Sequence, residues 1–248
     1  MKTIEWSFLT NNIMGADPHP LCVQDLISKD YNPFNSLSKD IATSRKGCTY
    51  LKCPAHTDFL RNTWVFCAPF DLTLEIEVDP DSDMVKLHCE NISQEIFESI
   101  IDTRFLFKTE QAKNPYPLVG IDWLYVFACK EPLLMQVFPA FMHRNEFTDK
   151  TTVIPGEYDV GCWTRPVETV FEIRSNRERI VIKKGDAISY VKFFSDDPVK
   201  LINSSVPWPA IQECNHIVTA HKRRPLKERY ASLEKVTASK CPFGHTTD

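Results

Sequence analysis

Val167, Thr169, Phe171 and Ile173 alternate with Glu168, Glu172 and Arg174. A period of two places one set of side chains on a buried face and the other in solvent, which only a β-strand does. Ser175-Asn176 then supplies turn residues. Ile180-Val181-Ile182 is a short β-branched run suited to a second strand. Lys184-Gly185-Asp186 makes another turn, and Ala187 to Phe194 returns as a third strand. The stretch from Val153 to Phe194 therefore commits the chain to a β-rich core.

The flanking sequence extends this reading. Strands are expected over Thr3–Leu9, Thr63–Cys67, Leu72–Val78 and Val85–Glu90, and Pro198–Val206 extends the sheet. Trp123–Cys129 and Leu133–Phe138 surround Lys130-Glu131-Pro132 and read as a core hairpin. Pro54 suits the first turn of a helix over 54–61. Asn91 and Gln94 resemble a capping box for a helix over 93–101. Asn11–Ser44 is polar and broken by Pro18, Pro20 and Pro33, so it reads as an irregular wrap with one helical turn near Val23–Ile27. Phe141–Lys150 reads as a loop. Trp208–Lys240 is helical in pattern, with Leu226, Tyr230, Leu233 and Val236 on one face. The expected architecture is mainly β (α+β). A strand and irregular arm span 1–49, the β-rich core 50–206 and a helical tail 207–248.

Composition narrows the function classes. The chain has 248 residues, a formal charge of −4 and nine cysteines. An acidic balance gives no global signal for nucleic acid. No apolar run approaches the roughly 20 residues that span a bilayer, so no membrane partner is expected. The start, MKTIEWSFLTNN, lacks a secretion-signal pattern. An odd, scattered cysteine set without a CxxC pair suits reduced, small apolar side chains. There is no GxxxxGK[ST], GxGxxG or GxSxG motif.

Two constellations carry metal-ligand chemistry. His56-Thr57-Asp58 has the HxD form of two ligands in an iron(II) facial triad, with His143 as the third and Arg165 or Arg174 for a co-substrate. Against this, HxD pairs of that kind sit on strands, and Pro54 places these residues at a helix start. The alternative is a pair of helix-end residues. Cys214, His216, His221, Cys241 and His245 have the atom types for tetrahedral zinc, although their spacing is not that of a finger. The alternative is a helix carrying solvated histidines. Between His221 and Lys240 a basic excess suits phosphate, an acidic partner or plain solvation.

Pro155-Gly156-Glu157-Tyr158-Asp159, Phe171-Glu172-Ile173 and Ile182-Lys183-Lys184-Gly185-Asp186-Ala187-Ile188-Ser189-Tyr190 carry a resemblance. In this order they resemble the loop, strand and closing segment of the dUTPase and dCTP-deaminase-like family. The resemblance implies a β-clip or related β-barrel core. It also implies a site at Tyr158, Asp159 and Arg165 that takes a nucleotide, with an Arg pairing phosphate in bidentate fashion. Sites of this family often form between subunits of a trimer, so a homo-oligomer is implied. The family's A-x-D-L motif and Gly-rich C-terminal arm are absent, which implies binding without pyrophosphatase chemistry.

Lys52-Cys53-Pro54-Ala55, Asn62 to Phe66 and Ala68-Pro69-Phe70-Asp71-Leu72 are similar to a group of tailed-phage, cyanophage-type proteins without an assigned activity. That similarity implies a phage protein in the host cytoplasm or the virion. Three functions are expected on these grounds. The first is an accessory protein that binds a ligand, a nucleotide first, or a phage or host protein partner, without catalysis or cofactor. The second is a virion or assembly component using its arms on neighbouring subunits. The third is an iron or zinc enzyme at His56, Asp58 and His143.

Overall fold

A computed structural model describes residues 1–8, 26–27, 31–44, 52–78, 85–102, 118–161, 166–175 and 177–204. The expected helical tail, Arg165 and most of the turn near Val23–Ile27 lie outside the described residues.

The fold is mainly β, with short helices between strands. In chain order the elements are β1 (Lys2–Phe8), β2 (Phe34–Ser36), α1 (Leu37–Ser44), α2 (Pro54–Leu60), β3 (Thr63–Cys67), β4 (Leu72–Val78), β5 (Val85–Cys89), α3 (Gln94–Ile100), β6 (Ile101–Asp102), β7 (Leu118–Ala128), β8 (Leu134–Pro139), α4 (Glu146–Lys150), β9 (Thr151–Val153), β10 (Gly156–Asp159), β11 (Pro166–Ile173), β12 (Arg177–Ile182), β13 (Ala187–Phe193) and β14 (Val199–Asn203).

Three sheets share these strands. One runs β14-β1-β7-β11-β9, with β6 also on β7. The second runs β10-β8-β13-β3-β2, and the third β12-β4-β5. Pairing is antiparallel except for β1 and β14, which are parallel. The alternation that marked β11 is borne out: Val167, Thr169, Phe171 and Ile173 are buried while Glu168, Val170 and Glu172 are half-buried.

The three consecutive strands of that stretch do not form a meander. β11 pairs with β7 and β9, β12 with β4, and β13 with β3 and β8. The tight turns after β11 and β12 hand the chain from one sheet to the next. Their strands close three sheets over one core. That core is aromatic. Phe34 of β2 meets Phe127 of β7 at 4.9 Å and Trp6 of β1 at 5.4 Å. Phe66 of β3 lies 5.8 Å from Tyr125 of β7. These pairs cross from the first sheet to the second, and each adds about 1 kcal/mol beyond its buried area. Leu72, Leu74, Ile76, Ile180 and Ile182 bring the third sheet into the same cluster.

Three sequence expectations are corrected. Trp123–Cys129 and Leu133–Phe138 are not a hairpin, because β7 and β8 belong to different sheets. The reason is a wedge of backbone. Val160 donates its amide to the Leu133 carbonyl at 2.9 Å, and its carbonyl accepts from the Cys129 amide at 3.2 Å. Val160 thus takes the hydrogen bonds that a hairpin end would have made. Second, the expected irregular wrap contains β2 and α1. Leu37 and Ile41, four apart on α1, are both buried against β3 and β13 residues in a second small core. Third, the expected loop 141–150 holds α4. Asn145 and Thr148 form a full capping box there, and Phe147 is buried edge-on against Phe171 at 5.0 Å.

The interior also sets a pH limit. Burial pushes the Cys67 thiol up to about 11 and the Tyr31 phenol up to about 12. Both groups are neutral when protonated, so the native state holds protons that the unfolded chain releases. Their contribution is complete below the unfolded values of 9.0 and 10.0 and is lost as pH rises toward the folded ones. The urea midpoint is expected to hold between pH 7 and 8.5 and to fall from about pH 9 to 11. Cys67→Ala should flatten the first part of that fall. A midpoint that rises above pH 9 contradicts the assignment.

Candidate functional site

Tyr158 and Asp159 end β10, which pairs with β8 in the register Tyr158 with Met135 and Asp159 with Leu134. The Tyr158 ring leans on the main core. The Asp159 carboxylate turns back on its own loop. One oxygen, Oδ1, accepts from the Leu133 amide at 2.9 Å and from the Gly161 amide at 2.9 Å. Amides on both sides of the wedge therefore converge on one carboxylate oxygen. Such charge-assisted bonds are roughly twice as strong as neutral ones.

His143 lies elsewhere, in the connection between β8 and α4. Its Nε2 is 2.5 Å from Asp40 Oδ2 of α1, and its Nδ1 is 2.7 Å from the Tyr190 hydroxyl of β13. Tyr190 is fully buried, and its hydroxyl also accepts from the Met142 amide at 3.0 Å. The hydroxyl thus bridges the Met142 amide and the imidazole, and the ring is held between that hydroxyl and the Asp40 carboxylate. The result is an Asp40–His143–Tyr190 chain that ties α1 to the second sheet. Both ring nitrogens are engaged, so a metal at His143 would have to displace Asp40 or Tyr190.

His56 and Asp58 stand on α2, Asp58 exposed and His56 half-buried. Positions i and i+2 of a helix project to different sides, whereas on a strand they share a face. Pro54 in the first turn, the signal weighed in the sequence, explains the difference. The end of α2 is closed by Lys192, whose Nζ donates to the carbonyls of Asp58 at 3.2 Å and Phe59 at 2.7 Å. Burial lowers the Lys192 pKa from its usual value. Among the described residues no group of three or more His, Cys, Asp or Glu side chains is placed to hold a metal ion. No described helix is long and apolar enough to cross a membrane.

The openings among the described residues include the following three. The two wider ones, of about 500 and 560 Å³, adjoin each other around Lys2 and Asp197 and carry charges of both signs. The third lies beside His143. The sequence reading thus named His143 without its partners. Asp40 and Tyr190 are 103 and 47 positions away from it; Asp40 stands in no motif, and Tyr190 ends the closing segment Ile182–Tyr190, which gives no hint of a histidine partner.

No protein-family model matches the chain, and neither a curated protein nor a solved structure matches it.

Replacing Asp159 separates its charge from its geometry. Asp159→Asn keeps an acceptor oxygen for Leu133 and Gly161, while Asp159→Ala leaves two amides without one. The alanine variant should lose about 2 kcal/mol in urea unfolding and the asparagine variant clearly less. Equal stability of both variants and the native chain would refute the clamp.

Proposed function

We propose that this protein is a phage accessory protein that binds a small ligand without turning it over. A nucleotide is the first candidate, and the segment around Tyr158 and Asp159 is the remnant of a dUTPase-like loop on a β-clip-type core. The observation that carries this reading is the state of Asp159. In a nucleotide-cleaving loop the carboxylate must present an oxygen to a water beside the phosphate. Here Oδ1 is committed to two backbone amides, that of Gly161 in its own loop and that of Leu133 just before β8, at 2.9 Å each. That commitment supports a loop kept for its shape. Geometry comes before pKa in assigning a general base, and this geometry favours support over proton transfer.

Isothermal titration against a panel of ribo- and deoxyribonucleotides tests the reading, together with an assay for released phosphate and pyrophosphate. Saturable heat for at least one nucleotide, with no release, is expected. No heat for any member removes the proposal. Recovery of the same protein from purified particles would then favour the virion reading.

A further inference from the structure

The third opening lies between β9, β13 and the start of α4, with a volume of about 230 Å³. It lies apart from Tyr158 and Asp159, and its lining carries two guanidiniums, Arg144 and Arg174, against one carboxylate, Asp149. His143, also on the wall, is already held by Asp40 and Tyr190. In a chain of net charge −4 this is a local positive excess at the open mouth of a concavity.

The two guanidiniums meet at Asp149. Arg144 Nε is 2.7 Å from Asp149 Oδ1, and Arg174 donates an Nη1 proton to the Asp149 carbonyl at 3.4 Å. Arg174 also reaches the Thr151 carbonyl at 3.4 Å and the Thr152 hydroxyl at 3.2 Å. Bonds of that length are at the weak end of the range. A guanidinium offers five N–H donors. Arg144 uses one edge on Asp149, and its terminal nitrogens bond no described residue. The site therefore has more donors than acceptors. Arg–phosphate pairs of this fork geometry are strong and directional.

The rim adds an aromatic face. Phe141 is 62% exposed, which is unusual for so large a ring. It is propped in place: Phe138 stacks behind it at 6.5 Å and 30°, and Tyr190 meets it edge-on at 5.5 Å. A ring supported from behind and open in front gives a flat ligand group a place to pack. The cavity is smaller than the roughly 300–1,000 Å³ of drug-sized pockets, which suits one ring and one phosphate.

We propose that this cavity binds a small phosphate monoester carrying a single planar or apolar group. The phosphate would lie between Arg144 and Arg174, and the group would pack against Phe141. The site goes beyond the nucleotide reading above and stands even if the Asp159 loop binds nothing.

Phenyl phosphate, inorganic phosphate and phenol, titrated at low ionic strength, test this without any nucleotide. Phenyl phosphate is expected to bind most tightly and phenol not to bind. Arg144→Ala and Arg174→Ala should each weaken phenyl phosphate about tenfold. Asp149→Asn, which removes the internal competitor, should tighten it severalfold. Phe141→Ala should reduce phenyl phosphate to the affinity of inorganic phosphate. Arg144 has an 81% exposed side chain and one ion pair, so its variant is expected to fold normally. No saturable binding of phenyl phosphate to the wild type, or equal affinity in the wild type and both arginine variants, overturns the proposal.

Discussion

The separation of the first two sheets depends on three residues of backbone. Asp159, Val160 and Gly161 enter the space between the end of β7 and the start of β8. Val160 bonds both flanks of that space, and the Asp159 carboxylate ties the Leu133 and Gly161 amides together. Buried backbone groups have to be paired, so a segment that supplies partners to both flanks replaces the hairpin those flanks would otherwise close. β7 is then free to pair with β1, β6 and β11, and β8 with β10 and β13.

Strands parted in this way build a core that the sheets can only complete together. β7 presents Trp123, Tyr125 and Phe127, each about 1% exposed. Their partners come from β1, β2, β3 and β13. Leu124, with a φ of 60° in the middle of β7, marks the break in register against β11. The Asp122 carboxylate accepts the Leu124 amide at 2.7 Å, which helps to hold a conformation that a Leu rarely adopts. The second core, under α1, is joined to the sheets by the Asp40–His143–Tyr190 chain. That chain also fixes the wall of the cavity that carries Arg144 and Arg174. Fold and candidate site are thus coupled through Tyr190, which is at once a core residue and a hydrogen-bonding partner.

Local chemistry makes much of this legible. Alternation locates β11, Pro54 locates α2, and the β-branched run at Ile180 locates β12, because each signal lies within the element it marks. Pairing is less legible. Lys130-Glu131-Pro132 looks like a hairpin turn, and nothing near it announces that a segment thirty residues later will enter between the strands. α1 and α4 escape a sequence reading for another reason. Both are short, and α1 owes its place to two buried residues, Leu37 and Ile41, within a polar stretch broken by prolines. The candidate site is legible only residue by residue. His143 stands out as a histidine, while its engagement depends on Asp40 and Tyr190, brought together by the sheet and not by spacing.

Gly161 gives the sharpest access to the wedge. A Cβ at this position would press on the Glu131 carbonyl and lie 2.8 Å from the Pro132 Cα. Both contacts are backbone and neither can swing aside. Urea unfolding of Gly161→Ala reads the consequence directly. A loss of about 2–3 kcal/mol is expected, at the upper end of overpacking costs. A variant as stable as the native chain would mean that the backbone of this segment does not hold the sheets apart.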